Sequence, residues 1–143
     1  MRKCGLFVIC IVLIALLAGC GNKAAPAVTI DYGSSSLYTK EDMDDAIAII
    51  KAAFDTGDGC ELHSISYSSD DVCTSEKNIA WMNQLEEAND NEQVFTQCIM
   101  LDSSFHSPKK GVSALNLDEE YQWSWWLARR EGGEWKLMTW GEA

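Results

Sequence analysis

The C-terminal segment, residues 121–140, constrains the fold more than any other part of the chain. Two runs rich in aromatic and aliphatic side chains, 121–130 and 134–140, flank the pair Gly132-Gly133. A glycine pair between such runs is a strong signal for a two-residue turn, because glycine adopts the positive φ angles that this turn needs. The segment therefore predicts a β-hairpin that holds five of the six tryptophans of the chain.

The turn also sets a register, in which Trp125 faces Trp140, Leu127 faces Met138 and Ala128 faces Leu137. Because side chains alternate across a strand, one face of the hairpin carries Trp123, Trp125, Leu127, Met138 and Trp140, and the other carries Trp126, Ala128, Trp135 and Leu137. The first face has two interpretations. Either it is hydrophobic core beneath the helices, or it lines a ligand pocket or docking surface through Trp123, Trp125, Met138 and Trp140.

Periodic patterns upstream of the hairpin predict two helices and two further strands. Thr39 caps the first helix, Asp42 completes a near capping box, and Gly57 and Gly59 end the helix. The remaining elements are a strand at 60–68, a helix at 75–87, a strand that is apolar on both faces at 92–103, and a loop at 106–118.

This order of elements predicts an α+β fold, in which two helices pack on one face of a mostly antiparallel four-stranded sheet. The layout is similar to a shortened nuclear-transport-factor-two-like cone. That cone hosts enzymes and binding modules alike, so the fold class alone does not select a function.

The N-terminus predicts a membrane address. Arg2 and Lys3 precede an apolar run at 6–17, which is too short to span a bilayer. The following Leu-Ala-Gly-Cys, ending at Cys20, looks like a bacterial lipobox, whose cysteine receives a diacylglyceryl anchor; an uncleaved anchor or an ordinary secretory signal is the alternative.

The lipobox predicts three parts and a location. Residues 1–19 are the signal peptide, residues 20–36 are the lipidated cysteine and a flexible tether, and residues 37–143 are a single domain. The anchor places the domain at the outer face of the bacterial cytoplasmic membrane, with that membrane as a partner. The chain carries 11 basic and 22 acidic residues, and this acidity excludes nucleic acid as a partner.

Six short motifs resemble a known family: Tyr38-Thr39-Lys40-Glu41-Asp42, Gly59-Cys60-x-Leu62, Leu115-Asn116, Tyr121-x-Trp123-x-Trp125-x-Leu127-x-Arg129, Gly132-Gly133-x-Trp135-Lys136 and Trp140-Gly141. The family is an uncharacterised extracytoplasmic α+β domain of clostridial-type Gram-positive bacteria. It occurs in small lipoproteins and attached to membrane metallopeptidases similar to β-lactam receptors. The resemblance covers most of residues 37–141, although one residue separates Tyr121 from Trp123 where the family pattern has two. The chain has no His-Glu-x-x-His, so the resemblance implies fold and location without proteolysis.

The chain contains two histidines, His63 and His106. Cys60 and His63 have a spacing that zinc sites use, but residues three apart in a strand point to opposite faces. We therefore predict no metal and no cofactor. Asp102 with His106 or His63 is the candidate catalytic acid–base pair.

The domain has three cysteines, and an extracytoplasmic location permits a disulfide between two of them. An extended strand at 60–68 makes a bond between Cys60 and Cys73 difficult. The candidate disulfide is therefore Cys60–Cys98, between neighbouring strands. The alternative is three buried thiols.

Two functions of different classes follow from these patterns. The first is a membrane-anchored binding or protein-interaction domain, such as a sensor accessory, whose partner is an envelope protein or a small-molecule ligand. The second is a small pocket enzyme, a hydrolase or isomerase, that uses Asp/His acid–base chemistry. We favour the first, because the second rests on fold analogy alone.

Overall fold

Eight elements follow one another in the computed structural model, which describes residues 26–55 and 59–143. The strands are β1 (Thr29–Asp31), β2 (Glu61–Tyr67), β3 (Gln97–His106), β4 (Glu120–Arg129) and β5 (Lys136–Glu142), and the helices are α1 (Lys40–Phe54), α2 (Asp70–Thr74) and α3 (Glu76–Ala88). The strands form one sheet in chain order, with β1 parallel to β2 and all other neighbours antiparallel. The predicted α+β class is confirmed, and the sheet has five strands rather than four.

The additional strand, β1, lies within the segment that the sequence predicts as a tether. Ile30 pairs with Ile65 of β2 and packs on the core. Further along, the Asp70 carboxylate accepts hydrogen bonds from the Ser35 hydroxyl at 2.6 Å and from the Ser36 backbone N–H at 2.8 Å. Residues 29–36 are thus bound to the domain. The predicted signal peptide, Cys20 and the predicted tether up to residue 25 lie outside the described residues.

Helix α1 begins as the sequence predicts. The Asp42 N–H donates to the Thr39 hydroxyl at 3.1 Å, and the Thr39 N–H donates to the Asp42 carboxylate at 2.9 Å, which completes the capping box. The helix ends at Phe54, before both predicted glycines; Gly57 lies outside the described residues, and Gly59 has a φ of 75°.

The two longer helices cover opposite faces of the sheet. Along β3, Ile99 and Leu101 join the core beneath α1, whereas Cys98 joins a second cluster around Met82 of α3. The prediction that both helices share one face is therefore wrong. The central strand β3 is apolar on both faces, so each face has to be covered by other apolar side chains. The predicted cone-shaped sheet has both helices on one face, and the observed positions of α1 and α3 therefore do not support it.

The start and end of β3 and the presence of α2 also differ from the prediction. The third strand begins at Gln97 and reaches His106, whereas the sequence predicts 92–103. The Asn83 side-chain amide binds both backbone groups of Phe95, at 2.7 Å and 3.0 Å, and so holds this segment against α3 instead of in the sheet. Helix α2, a single short turn capped by Ser69, was not predicted.

The predicted hairpin forms, but the predicted two-residue turn does not, because β4 ends at Arg129 and β5 begins only at Lys136. A bulge also changes the register. Trp125 pairs with Trp140 as predicted, whereas Leu127 pairs with Leu137 instead of Met138. Met138 is the extra residue of the bulge and packs with the α3 cluster, while Leu137 joins the α1 core. Leu137 and Met138 therefore each lie on the face of the hairpin opposite to the one predicted.

Trp135 is also on a different face from that predicted. Its indole N–H donates to the Asp42 carbonyl oxygen at 2.9 Å, and the Arg129 guanidinium lies 4.1 Å from its ring centre. Arg129 in turn pairs with the Asp42 carboxylate at 2.9 Å. These contacts draw Trp135 onto the start of α1 and into the α1 core.

Candidate functional site

Part of the sheet face opposite α1 carries regular rows of polar side chains. In one row, Ser66, Asp102, Ser124 and Gly141 lie side by side on β2, β3, β4 and β5. In the next row, Ser64, Ser104 and Gln122 lie side by side on β2, β3 and β4. We call these seven residues the open face. They present hydroxyl, amide and carboxylate groups in place of the apolar side chains that α3 covers further along the same face.

The open face contains a shallow groove of about 310 Å³, lined by Ser64, Ser66, Asp102, Ser103, Ser104, Gln122 and Ala143. Its side chains are fixed to one another across the strands. The hydroxyl oxygens of Ser64 and Ser104 are 2.6 Å apart, and the Ser124 hydroxyl donates to the Asp102 carboxylate at 2.6 Å. The groove therefore offers ordered hydrogen-bonding groups that are partly shielded from water.

An aromatic pair stands at the α3 end of the open face. Trp126 follows Ser124 on the same face of β4, and Trp81 of α3 meets it edge-on with ring centres 5.4 Å apart. Trp81 is 37% exposed. Indole rings beside polar groups give a ligand both an apolar wall and hydrogen-bond partners.

Five titratable residues lie together at the other end of the open face. We call this group, which consists of Glu61, His63, His106, Asp118 and Glu120, the histidine cluster. The Glu120 carboxylate lies 2.8 Å from His106 Nδ1 and 3.4 Å from His63 Nδ1, so it bridges the two rings. Asp118 lies 2.9 Å from His106 Nε2, and Glu61 lies 3.4 Å from His63 Nε2.

The hydrogen-bonding pattern favours the charged form of His106. The hydrogen bond to Asp118, followed by that to Glu120, raises the pKa of His106 above its usual value. A neutral imidazole has a single N–H, whereas both ring nitrogens of His106 face carboxylate oxygens. Neither nitrogen is thus free to accept a proton from a substrate.

The structure separates the candidate catalytic residues. His63 and His106 come together, with ring centres 6.4 Å apart, because a bulge between Leu62 and Ser64 turns His63 toward His106. Asp102 lies four residues before His106 on the same strand, about 13 Å away, and binds Ser124 instead. The predicted acid–base pair of Asp102 with a histidine is therefore not formed.

Two of the three carboxylates that contact the histidines, Asp118 and Glu120, lie in the acidic run 118–120, which the sequence analysis does not assign to a site. The spacing of the acidic residues in that run could have indicated a shared partner. Asp118 and Glu120 are two residues apart and reach the two sides of the same imidazole. Recognising them required the pairing of His106 with Glu120 across β3 and β4.

The four candidate ligand-facing residues do not share one surface. Trp125 is 1% exposed, and its indole N–H donates to the Ser103 hydroxyl at 2.8 Å. Trp123 is half-buried against Phe105, and Met138 lies on the opposite face. Trp140 stacks on Trp125 at 5.8 Å and is 51% exposed. The first predicted face is therefore mainly core, in line with the first of its two interpretations.

The candidate disulfide Cys60–Cys98 is excluded by the register. Cys60 precedes Glu61, which pairs with His106, eight residues along β3 from Cys98. This separation is about 26 Å, whereas a disulfide needs Cα atoms within about 7 Å. Cys98 instead donates its thiol to the Cys73 carbonyl oxygen at 3.4 Å, and burial, with a smaller effect of Cys73, raises the pKa of Cys98 to about 12.

Two absences concern residues 26–55 and 59–143, the part of the chain that the structure describes. No three His, Cys, Asp or Glu side chains in these ranges are arranged to hold a metal ion. No helix in them has the length and apolar character needed to cross a membrane. The apolar run at 6–17 lies outside both ranges.

Comparison of the chain with protein-family models, with curated proteins and with solved structures finds no match. The resemblance to clostridial-type lipoprotein domains therefore stays a prediction from the motifs quoted above. The features of the chain that bear on its function are the open face, the histidine cluster and the N-terminal apolar run with Cys20.

Proposed function

We propose that this chain is a lipid-anchored extracytoplasmic domain that binds a small-molecule ligand or an envelope protein through its open face. The observation that carries the proposal is the groove of about 310 Å³ in that face. A merely solvated sheet face needs no cross-strand order among its side chains. Here the Ser64–Ser104 and Ser124–Asp102 contacts hold four polar groups in fixed positions.

Binding fits this geometry better than catalysis does. The Asp102 carboxylate in the groove already accepts a hydrogen bond from Ser124, and His106 lies two rows away with both nitrogens engaged. A general base needs a free lone pair within reach of the proton that it removes. A pocket enzyme that pairs Asp102 with a histidine is therefore the less supported alternative.

The chemistry of the groove favours ligands that donate hydrogen bonds. Serine hydroxyls, the Gln122 amide and the Asp102 carboxylate accept from hydroxyl or amine groups. The formal net charge of −11 disfavours anionic ligands. Trp81 and Trp126 add an apolar wall at one end. Cell-wall fragments with sugar hydroxyls or amines have this combination of groups.

The lipobox supports the location, and the family resemblance supports a sensor-accessory role. Leu17 to Cys20 stand at the end of the apolar run, where a lipoprotein signal is cut.

In a lipidated chain Cys20→Ser removes the acyl acceptor. The full chain should then move from the membrane fraction to the medium, whereas Cys60→Ser should leave it in the membrane.

A blocking substitution tests the open face. Gln122→Trp places a large side chain over the groove, and Glu142→Trp places the same side chain on the opposite face of the neighbouring strand. Thermal unfolding of each variant would be followed with muropeptides, amino sugars and polyamines. A ligand that binds the folded state raises Tm by mass action.

We expect at least one probe to raise the Tm of the wild type and of Glu142→Trp by several degrees, and to leave Gln122→Trp unchanged. A shift of equal size in both variants would place the ligand elsewhere. The absence of a shift with all probes would restrict the proposal to protein partners.

A further inference from the structure

The chain enters the domain close to its predicted anchor. Nine residue steps separate Cys20 from Thr29, where β1 begins. Even a fully extended chain of that length spans only about 30 Å. If Cys20 carries the lipid, as proposed above, the domain is held within roughly its own diameter of the bilayer.

The register identifies which end of the domain faces the anchor. Thr29 pairs with Ser64, and β1 is parallel to β2, so the chain before Thr29 lies at the end where β2 begins. Pro26 and Val28 line a cavity of about 450 Å³ there with Phe54 and Leu62. We call this end of the sheet, where β2 begins, β3 ends and β4 begins, the anchor end.

The loop at residues 107–119 joins β3 to β4 at the anchor end. Its base is closed by two backbone hydrogen bonds, from the Ser107 N–H to the Glu119 carbonyl oxygen at 2.8 Å and from the Asp118 N–H to the Pro108 carbonyl oxygen at 3.0 Å. The Asn116 N–H also donates to the Tyr121 hydroxyl of β4 at 3.0 Å, so the returning arm is held against the sheet, whereas residues 109–112 are exposed.

The tip of this loop combines positive charge with an exposed apolar side chain. Lys109 and Lys110 are exposed, and Val112, two residues further, is 96% exposed. Leu117 on the returning arm is 41% exposed. The acidic residues at the base are tied back, since Asp118 and Glu120 both contact His106. The tip is thus basic and apolar, although the chain as a whole is acidic.

We infer that loop 107–119 is a second membrane contact, in which Val112 enters the bilayer interface and Lys109 and Lys110 lie among anionic headgroups. The partner is the bilayer that holds the lipid anchor. Two lysines and one valine bind a membrane only weakly by themselves. The anchor at Cys20 raises their effective concentration at the surface, so a weak contact suffices to orient the domain. The sheet then stands upright, with the open face accessible from the side.

The test uses the full lipidated chain with the photo-crosslinking residue p-benzoylphenylalanine in place of Val112. A matched control carries it in place of Val94, which is 63% exposed and lies just before β3, at the opposite end of the sheet. Both chains are placed in vesicles of phosphatidylcholine alone or of phosphatidylcholine mixed equally with phosphatidylglycerol. The readout is the mass of phospholipid joined to the protein on illumination.

We expect phospholipid crosslinks at position 112 and none above background at position 94, with more crosslinking when phosphatidylglycerol is present. Lys109→Gln combined with Lys110→Gln should lower the ratio of docked to undocked orientation about 30-fold, without releasing the chain from the vesicle. High salt should weaken the contact in the same direction.

Two results would overturn the inference. Equal crosslinking at positions 112 and 94 would show that the domain has no fixed orientation, and an anchored chain without crosslinks at position 112 would show that the tip stays in water. A chain that fails to join the membrane, and behaves like Cys20→Ser, would instead overturn the proposed anchor and this inference with it. Membrane fractionation of each sample separates these cases.

Discussion

The Glu86 carboxylate is buried, and its ion-pair partner Lys136 reaches solvent. The Lys136 ammonium lies 2.8 Å and 2.7 Å from the two carboxylate oxygens, while the side chains of Glu86 and Lys136 are 2% and 43% exposed. The pair joins α3 to β5. A buried carboxylate costs several kcal/mol of desolvation unless a partner compensates for it, whereas a freed lysine can turn into water.

The two partners should therefore respond unequally to substitution. Lys136→Met leaves a buried charge without its partner and should lower the free energy of unfolding by about 2–4 kcal/mol. Glu86→Gln keeps a hydrogen-bond acceptor and should cost about 1 kcal/mol. Urea unfolding at neutral pH measures both.

Lys40→Met provides the matched control for this comparison. Lys40 pairs with Asp44 at 2.9 Å, but both side chains are exposed, so its loss should leave the free energy of unfolding almost unchanged. A Lys136→Met variant no less stable than Lys40→Met would contradict the role assigned to the buried pair.

Stability should also depend on pH through His106. The Asp118 and Glu120 contacts raise its pKa in the folded state above the ordinary value of about 6.5. The stabilising contribution is then fully present below the unfolded pKa and is lost as the pH rises through the folded pKa. The wild type should lose stability across that interval more steeply than His106→Gln.

The titration of His106 itself can be followed by the NMR shift of its ring protons. Asp118→Asn removes the largest cause of the raised value, so the pKa of His106 should move down toward 6.5. Asp71→Asn, a change of the same kind on α2, should leave it unchanged. An unaltered His106 titration in Asp118→Asn would refute the proposed contact.

Local signals in the sequence were sufficient for the elements whose determinants are close together. Thr39 and Asp42 lie three residues apart and define the start of α1 by themselves. The glycine pair likewise marks the position of the hairpin, although the connection from Arg129 to Lys136 is longer than the predicted two-residue turn, and the Gly133 N–H donates within it to the Arg130 carbonyl oxygen at 2.8 Å. Neither feature requires knowledge of the tertiary structure.

Features that depend on distant partners were not predicted. Ile30 forms a strand because Ile65 pairs with it, and three residues carry too little periodicity to show this. Leu137 and Met138 change faces because β5 contains a bulge. That strand begins directly after Trp135, whose indole N–H is bound to the Asp42 carbonyl oxygen of α1. The histidine cluster likewise needs β2, β3 and β4 in register before its members meet.

The buried thiols give a chemical test of the cysteine arrangement. Cys73 and Cys98 are both buried, and burial raises the pKa of Cys98 to about 12, so little thiolate exists there at neutral pH. In a Cys60→Ser background, iodoacetamide should modify these two cysteines only after denaturation. Mass spectrometry counts the adducts, and rapid double labelling of the native protein would contradict the core packing.

Paired tryptophan substitutions distinguish core from surface on the α1 side of the hairpin. Trp125 and Trp140 are cross-strand partners with stacked rings, but they are 1% and 51% exposed. Trp125→Ala removes a buried indole and should cost about 3–5 kcal/mol of unfolding free energy, whereas Trp140→Ala should cost about 1 kcal/mol. Urea unfolding monitored by circular dichroism compares the two variants. Equal costs would mean that Trp140 is as deeply packed as Trp125. If Trp140→Ala, and not Gln122→Trp, abolished a ligand-induced Tm shift, the binding surface would lie on the α1 side instead of the open face.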